Sequence, residues 1–138
     1  MKMEAIFGAG CFWCIEACFK DIRGVESVTP GYSGGSKATA FYKMVCSGKT
    51  DHAEVARIQY DPEIVSFDKL VEMFWFVHDP TQLNRQGNDI GPQYRSVIFY
   101  MNDEQRKIAE SYKVRLTSKK IWDREIVTEI VPLDLFYP

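Results

Sequence analysis

The chain has 138 residues and a net charge of −2, with 46% apolar and 26% charged residues. That length suits one domain with a sizeable core, and the ordinary composition excludes a disordered chain. The near-neutral charge supplies no basic field for nucleic acid, and no segment approaches the ~20 apolar residues of a membrane span.

Periodicity and punctuation give the elements. Met3 to Phe7 reads as a buried first strand, and Gly8-Ala9-Gly10 turns it tightly into the next element. Phe12 to Lys20 reads as a helix with apolar residues at Ile15, Cys18 and Phe19, and Gly24 stops the segment after it. Val25 to Thr29 is strand-like, Pro30 to Ser36 is glycine-rich loop, and Phe41 to Cys46 is a short extended segment. His52 to Tyr60 alternates, so Glu54 shares a face with Ala56, Ile58 and Tyr60. A carboxylate on an apolar face is costly unless protonated or paired, although a solvated strand end would explain it equally.

Ser66 is a candidate N-cap for a helix with Leu70, Val71, Phe74, Trp75 and Val77 on its apolar face. His78-Asp79-Pro80 ends that helix, and His78 reads as a helix-end residue. Thr81 to Tyr94 is a long polar loop, and such loops in compact domains often carry function. Arg95 to Met101 is a strand. Asp103 to Ser118 is a helix capped by Asn102, with Ile108, Ala109, Tyr112 and Leu116 facing inward. Glu125 to Val131 is the last strand. This order predicts an α+β fold, a two-layer sandwich with a ferredoxin-like core and helices packed on a mainly antiparallel mixed sheet. Residues 1–138 show no repeat or linker and are read as a single domain.

Four cysteines occur, and Cys11, Cys14 and Cys18 fall within eight residues. That clustering cannot staple a whole domain and points to catalysis, redox cycling or metal binding in a reducing compartment, read as the cytoplasm. Residues 5–15 have the length of a signal-peptide core, but Glu4 and two glycines interrupt it and no cleavage site comes after it. Cys11 comes after a glycine turn and opens a helix, where unpaired N–H groups and the helix dipole favour the thiolate. Phe12 and Trp13 beside it could wall an apolar pocket. A buried joint with inert cysteines is the alternative.

Together these segments resemble the peptide-methionine sulfoxide reductase A family. The resemblance rests on Gly10-Cys11-Phe12-Trp13, Gly31-Tyr32-Ser33-Gly34-Gly35, and Tyr42 leading through Val45-Cys46-Ser47-Gly48 to His52-Ala53-Glu54. It continues through Tyr60-Asp61-Pro62, His78-Asp79-Pro80-Thr81 and the run from Asn84 to Ser96. The resemblance implies that Cys11 is the nucleophile and that Phe12 and Trp13 receive the substrate methyl group. It implies that Glu54 is the acid, that Tyr42 and Tyr94 bind the sulfoxide oxygen, and that Asp89 belongs to the same pocket. It further implies reduction of the S epimer of methionine sulfoxide, in proteins or free, with thioredoxin or another thiol as reductant and no cofactor. Without the family, Tyr42 and Tyr94 read as half-exposed strand residues and Asp89 as a turn former.

The chemistry fits these residue types. A sulfoxide is a poor electrophile until its oxygen is protonated, so an acid must act with the thiolate. An apolar setting favours the neutral carboxyl of Glu54. The product thiol becomes a sulfenic acid, which a second thiol converts to a disulfide.

Many family members continue past the equivalent of Pro138 with a tail carrying resolving cysteines, so the chain is read as a catalytic domain without the usual tail. The resolving thiol is then sought among Cys14, Cys18 and Cys46, with Cys14 preferred for its spacing. Cys18 lies two helical turns from Cys11, ~10 Å of rise, and would serve only through a relay with Cys14. Direct attack by an external thiol is the alternative. Two rival readings are a thiol-disulfide oxidoreductase using Cys11-Phe12-Trp13-Cys14 and a zinc module using Cys11, Cys14, Cys46 and His52. The first leaves Glu54, Asp89 and Tyr94 without a role, and the second has only one Cys-x-x-Cys pair. A weakened protein that only binds oxidised methionine is a third. A monomer is the default for this size.

Overall fold

The structure is a computed structural model that describes residues 3–10, 12–33, 53–76, 78, 80–82, 85–86, 89–90, 92–119, 125–133 and 136–137. In chain order these form β1 (Met3–Ala9), α1 (Phe12–Phe19), β2 (Val25–Ser33), β3 (Ala53–Tyr60) and α2 (Phe67–Phe76). A small ribbon comes next, β4 (Arg85–Gln86) and β5 (Asp89–Ile90), then a 3-10 turn (Pro92–Tyr94). β6 (Ser96–Tyr100), α3 (Asp103–Ser118), β7 (Glu129–Pro132) and β8 (Phe136–Tyr137) complete the order.

Six strands make one sheet in the order β7-β6-β1-β3-β2-β8. All pairings are antiparallel except β6 with β7, which α3 joins as a crossover helix. The inner order β6-β1-β3-β2, with α1 between β1 and β2 and α2 between β3 and β6, is the ferredoxin-like core. The expected α+β architecture is therefore the observed one.

Period-2 alternation sorts the strand side chains. Ala5, Phe7 and Ala9 of β1, Ala56, Ile58 and Tyr60 of β3, and Ile98 of β6 meet the three helices in the main core. Ile6, Ala53, Val55, Val97 and Phe99 form a second cluster on the opposite face. Phe7 is the hub of the main core: its ring centroid lies 5.0 Å from Phe74, 5.8 Å from Phe19 and 6.0 Å from Phe67. One aromatic of β1 thus joins α1 and α2. Ser66 caps α2 by accepting from the Lys69 N–H at 3.2 Å, and Asn102 caps α3 by accepting from the Gln105 N–H at 2.9 Å. Gln105 itself is buried, accepts from the Met101 N–H at 2.9 Å and donates to the Glu4 carbonyl at 2.8 Å. Beside it, burial pushes the Tyr60 phenol above its ordinary pKa.

Several boundaries differ from the sequence reading, and the first is β1, which runs past Phe7 through Gly8 to Ala9 because both pair with β6. β2 runs on through Pro30 and Gly31 to Ser33, because each residue of that stretch is paired with β3 up to Ser33↔Ala53. β8 pairs only with Tyr32 and Ser33, so Pro30 lies on the open edge, where proline is tolerated. The 81–94 segment is not a structureless loop, since it folds into the β4–β5 ribbon and the 3-10 turn. The last long strand begins at Glu129 rather than Glu125, and β8 comes after it. The extended segment expected over 41–46 lies outside the described residues. No helix among the described residues is long and apolar enough to cross a membrane.

Phe74→Ala should cost about 3–5 kcal/mol, because it removes a ring shared by Phe7, Trp75 and His78. Urea unfolding checks this, and a loss below about 1 kcal/mol would show that the core does not depend on the aromatic hub.

Candidate active site

The site is built at the C-terminal end of β1. Gly8 lies between the two neighbouring strands there: a Cβ on it would sit 2.7 Å from the Val97 side chain and 3.3 Å from the carbonyl oxygens of Arg95 and Glu54. Glycine lets β3 and β6 close on β1 at this point. Gly10 has φ +97, and a Cβ on it would sit 2.6 Å from Cβ of Gln86. The backbone therefore turns sharply between β1 and α1 while touching β4. Gly10 and Phe12 bracket Cys11, which is itself outside the described residues.

Glu54 is placed as its alternation predicts. It lies on the face of β3 that carries Ala56 and Ile58 and is only 6% exposed, so the solvated strand-end reading is excluded. Its cross-strand partner on β2 is Tyr32, also buried. On the other side, the β1–β3 register ends at Phe7↔Ala56, and two residues further along it stand Ala9 and Glu54. Ala9 in turn pairs with Ser96 of β6. Ser96, Ala9, Glu54 and Tyr32 thus form one row across the sheet, all on the helix-covered face. Small Ala9 separates the hydroxyl of Ser96 from the carboxyl of Glu54, with two strand spacings, ~10 Å, between their backbones.

The ribbon brings in the 81–94 residues. Gln86 of β4 touches Gly10 and pairs with Asp89 of β5, so the backbone of Asp89 stands one strand from the β1–α1 turn. The 3-10 turn packs against β3 and β4 and delivers half-buried Tyr94 two residues before Ser96. Glu54 and the Asp89 backbone therefore stand beside the β1–α1 turn, and the 3-10 turn that carries Tyr94 packs on the same β3 and β4. The side chains of Phe12, Trp13, Cys14 and Asp89 lie outside the described part, as do Tyr42, Cys46 and His52 altogether. Cys18 is exposed on α1. Among the described residues no three His, Cys, Asp or Glu side chains cluster to hold a metal ion. Sequence reasoning passed over Tyr32 and Gln86. The signal for Tyr32 was its place in the Gly31-Tyr32-Ser33 motif, whereas the Gln86 contact had no local signal.

Residues 3–138 match the family model described as peptide methionine sulfoxide reductase. The chain belongs to that family. A peptide methionine sulfoxide reductase MsrA of Natronomonas pharaonis is 51% identical over 137 residues, covering 99% of this chain and 77% of the relative. The reduced form of Mxr1 from Saccharomyces cerevisiae superposes with a TM-score of 0.91 at 33% identity, covering 99% of this chain and 78% of that one. Mxr1 in complex with Trx2 superposes at 0.73 with 24% identity and speaks for the fold alone, covering 99% and 79%.

Gly10 has a backbone conformation that only glycine adopts without strain. Gly10→Ala should lower stability by about 1–3 kcal/mol, because φ +97 is disfavoured for alanine and its Cβ would meet Gln86. Denaturant unfolding reads this, and an unchanged midpoint would show that the turn relaxes freely.

Proposed function

We propose that this chain reduces the S epimer of methionine sulfoxide, free or within proteins, to methionine. Family membership over residues 3–138 supports the reaction class. The observation that carries the assignment of roles is Glu54, a buried carboxyl at the sheet end where β1 turns toward Cys11.

The Cys11 thiolate attacks the sulfoxide sulfur while Glu54 delivers a proton to the oxygen. The oxygen then passes from the substrate sulfur to the Cys11 sulfur as the substrate S–O bond and the transient S–S bond break, so methionine leaves and Cys11 becomes a sulfenic acid. Burial favours the neutral carboxyl that this proton transfer requires. Tyr42 and Tyr94 donate to the oxygen as its charge develops, with Asp89 in the same pocket. Phe12 and Trp13 hold the methyl group of the substrate. The steps call for no metal or organic cofactor.

A thiol then condenses with the sulfenic acid and releases water. Cys14 takes this part, with exposed Cys18 able to relay the disulfide outward. Thioredoxin or another dithiol reduces it by exchange. Free thiols in such a cycle suit a reducing compartment, and we place the chain in the cytoplasm as a monomeric repair enzyme.

The test is a single turnover without reductant on the S epimer of a methionine sulfoxide substrate, with cysteine states mapped by mass spectrometry. We expect methionine together with a disulfide involving Cys14. Methionine with only a sulfenic acid on Cys11 would assign resolution to an external thiol, and no methionine would overturn the reading. Cys11→Ser should abolish the reaction, whereas Cys14→Ser should spare the first turnover and impair recycling with thioredoxin. Normal thioredoxin-coupled turnover by Cys14→Ser would move resolution elsewhere. Glu54→Gln should slow methionine release in one turnover by about 10²- to 10⁴-fold while substrate still binds. An unchanged rate would remove Glu54 as the acid.

A further inference from the structure

Behind the site lies a chain of polar side chains to which the proposed reaction assigns no part. Trp75 Nε1–H donates to Thr128 Oγ1 at 3.2 Å, and Thr128 Oγ1 lies 2.8 Å from Ser96 Oγ. Ser96 Oγ lies 2.7 Å from His78 Nε2, and His78 Nδ1 lies 2.8 Å from the Phe74 carbonyl oxygen. A carbonyl only accepts, so Nδ1 carries the proton. In the neutral ring Nε2 then accepts from the Ser96 hydroxyl, Ser96 accepts from Thr128, and Thr128 accepts from Trp75. The four side chains form one directional run. Thr128 and Ser96 are almost wholly buried, 1% and 2% exposed, so losing a link strands a hydroxyl away from water.

The position of this run gives it meaning. His78 stands just before the 81–94 segment and Ser96 just after it. The 2.7 Å contact between them closes the neck of the segment that carries Gln86, Asp89 and Tyr94. The Val127 N–H donates to the Pro80 carbonyl at 2.8 Å, tying the same neck to the segment leading into β7. Lys113 of α3 donates to the Thr128 carbonyl at 2.8 Å and holds the far end. Ser96 also pairs with Ala9, two residues before Cys11, in the row that contains Glu54. One set of hydrogen bonds therefore fixes both the β1 end and the neck of the segment delivering Tyr94.

We propose that His78 is a positioning residue for the reaction, acting through Ser96 and Thr128 to hold Tyr94 and the β4–β5 ribbon against the β1–α1 turn. It touches no substrate. The claim about activity rests on the reductase reading above; the claim about the neck does not. In the intact protein, misplacing a positioned donor slightly is enough to cost rate without unfolding the domain.

Three variants test it: His78→Asn, which keeps a donor beside the Phe74 carbonyl but falls short of Ser96, Thr128→Val, and Thr128→Ser. Three quantities are read: kcat/KM for the S sulfoxide, the rate at which iodoacetamide alkylates Cys11, and amide exchange at Gln86 and Tyr94. His78→Asn and Thr128→Val should lower kcat/KM by about 10- to 100-fold. They should speed exchange at both amides by about tenfold or more, with Cys11 alkylation within about twofold of the parent. Thr128→Ser, which restores the hydroxyl in a smaller side chain, should match the parent in all three. Equal losses in Thr128→Ser and Thr128→Val would reduce the run to packing and overturn the proposal. Unchanged exchange in His78→Asn and Thr128→Val would overturn it as well. If His78→Asn does not fold, the Thr128 pair decides alone. A parent that exchanges as expected yet reduces no sulfoxide would sink the reductase reading and leave the neck in place.

Discussion

The constraint on which the rest depends is the placement of β1. It is paired on both edges, with β3 and β6, and buried on both faces. Such a strand cannot slip by one residue without moving Phe7 out of the helix layer and Ile6 into it. The register is therefore fixed, and with it the point at which the chain leaves the sheet. Gly8 admits the neighbouring strands, and Gly10 turns the chain from the end of β1 against Gln86 of β4.

The same register places Glu54. Cross-strand neighbours share a face, so fixing Ala9 fixes which residues of β3 and β6 stand level with it. Those are Glu54 and Ser96. A carboxyl in that row is buried because its strand neighbours Ala56 and Ile58 are core residues, and burying it is costly. A sheet built only for stability would place an apolar residue there. Keeping a carboxyl in the row fits the proton-donor role proposed for Glu54.

Much of this was legible in the sequence, and the failures have physical causes. The face of Glu54 could be read from alternation over residues 52–60, because a period of two survives any tertiary context that buries one side. The caps at Ser66 and Asn102 could be read from local chemistry that operates within one turn. The continuation of β2 was hidden, because Pro30 and Gly31 carry strong local turn signals that eight residues of pairing with β3 override. The β4–β5 ribbon was hidden for a related reason: two-residue strands have no periodicity to read, and this pair owes its place to packing against Gly10. β8 pairs just two residues of β2 and left no signal either.

His78 shows a subtler loss. Its position at the end of α2 was readable, and its bond to the Phe74 carbonyl four residues back is what a helix-end histidine makes. The second ring nitrogen was not readable, because its partner Ser96 is 18 residues away and Thr128 a further 32. Polar residues in an apolar core become informative only when their partners are known, since an unpaired hydroxyl there is costly and a paired one is specific. The histidine, the serine and the threonine lie in three separate stretches of sequence, and none of those stretches signals the other two. The fold brings them together at Ser96, a member of the row that holds Glu54, and this arrangement ties the two ends of the 81–94 segment to β1.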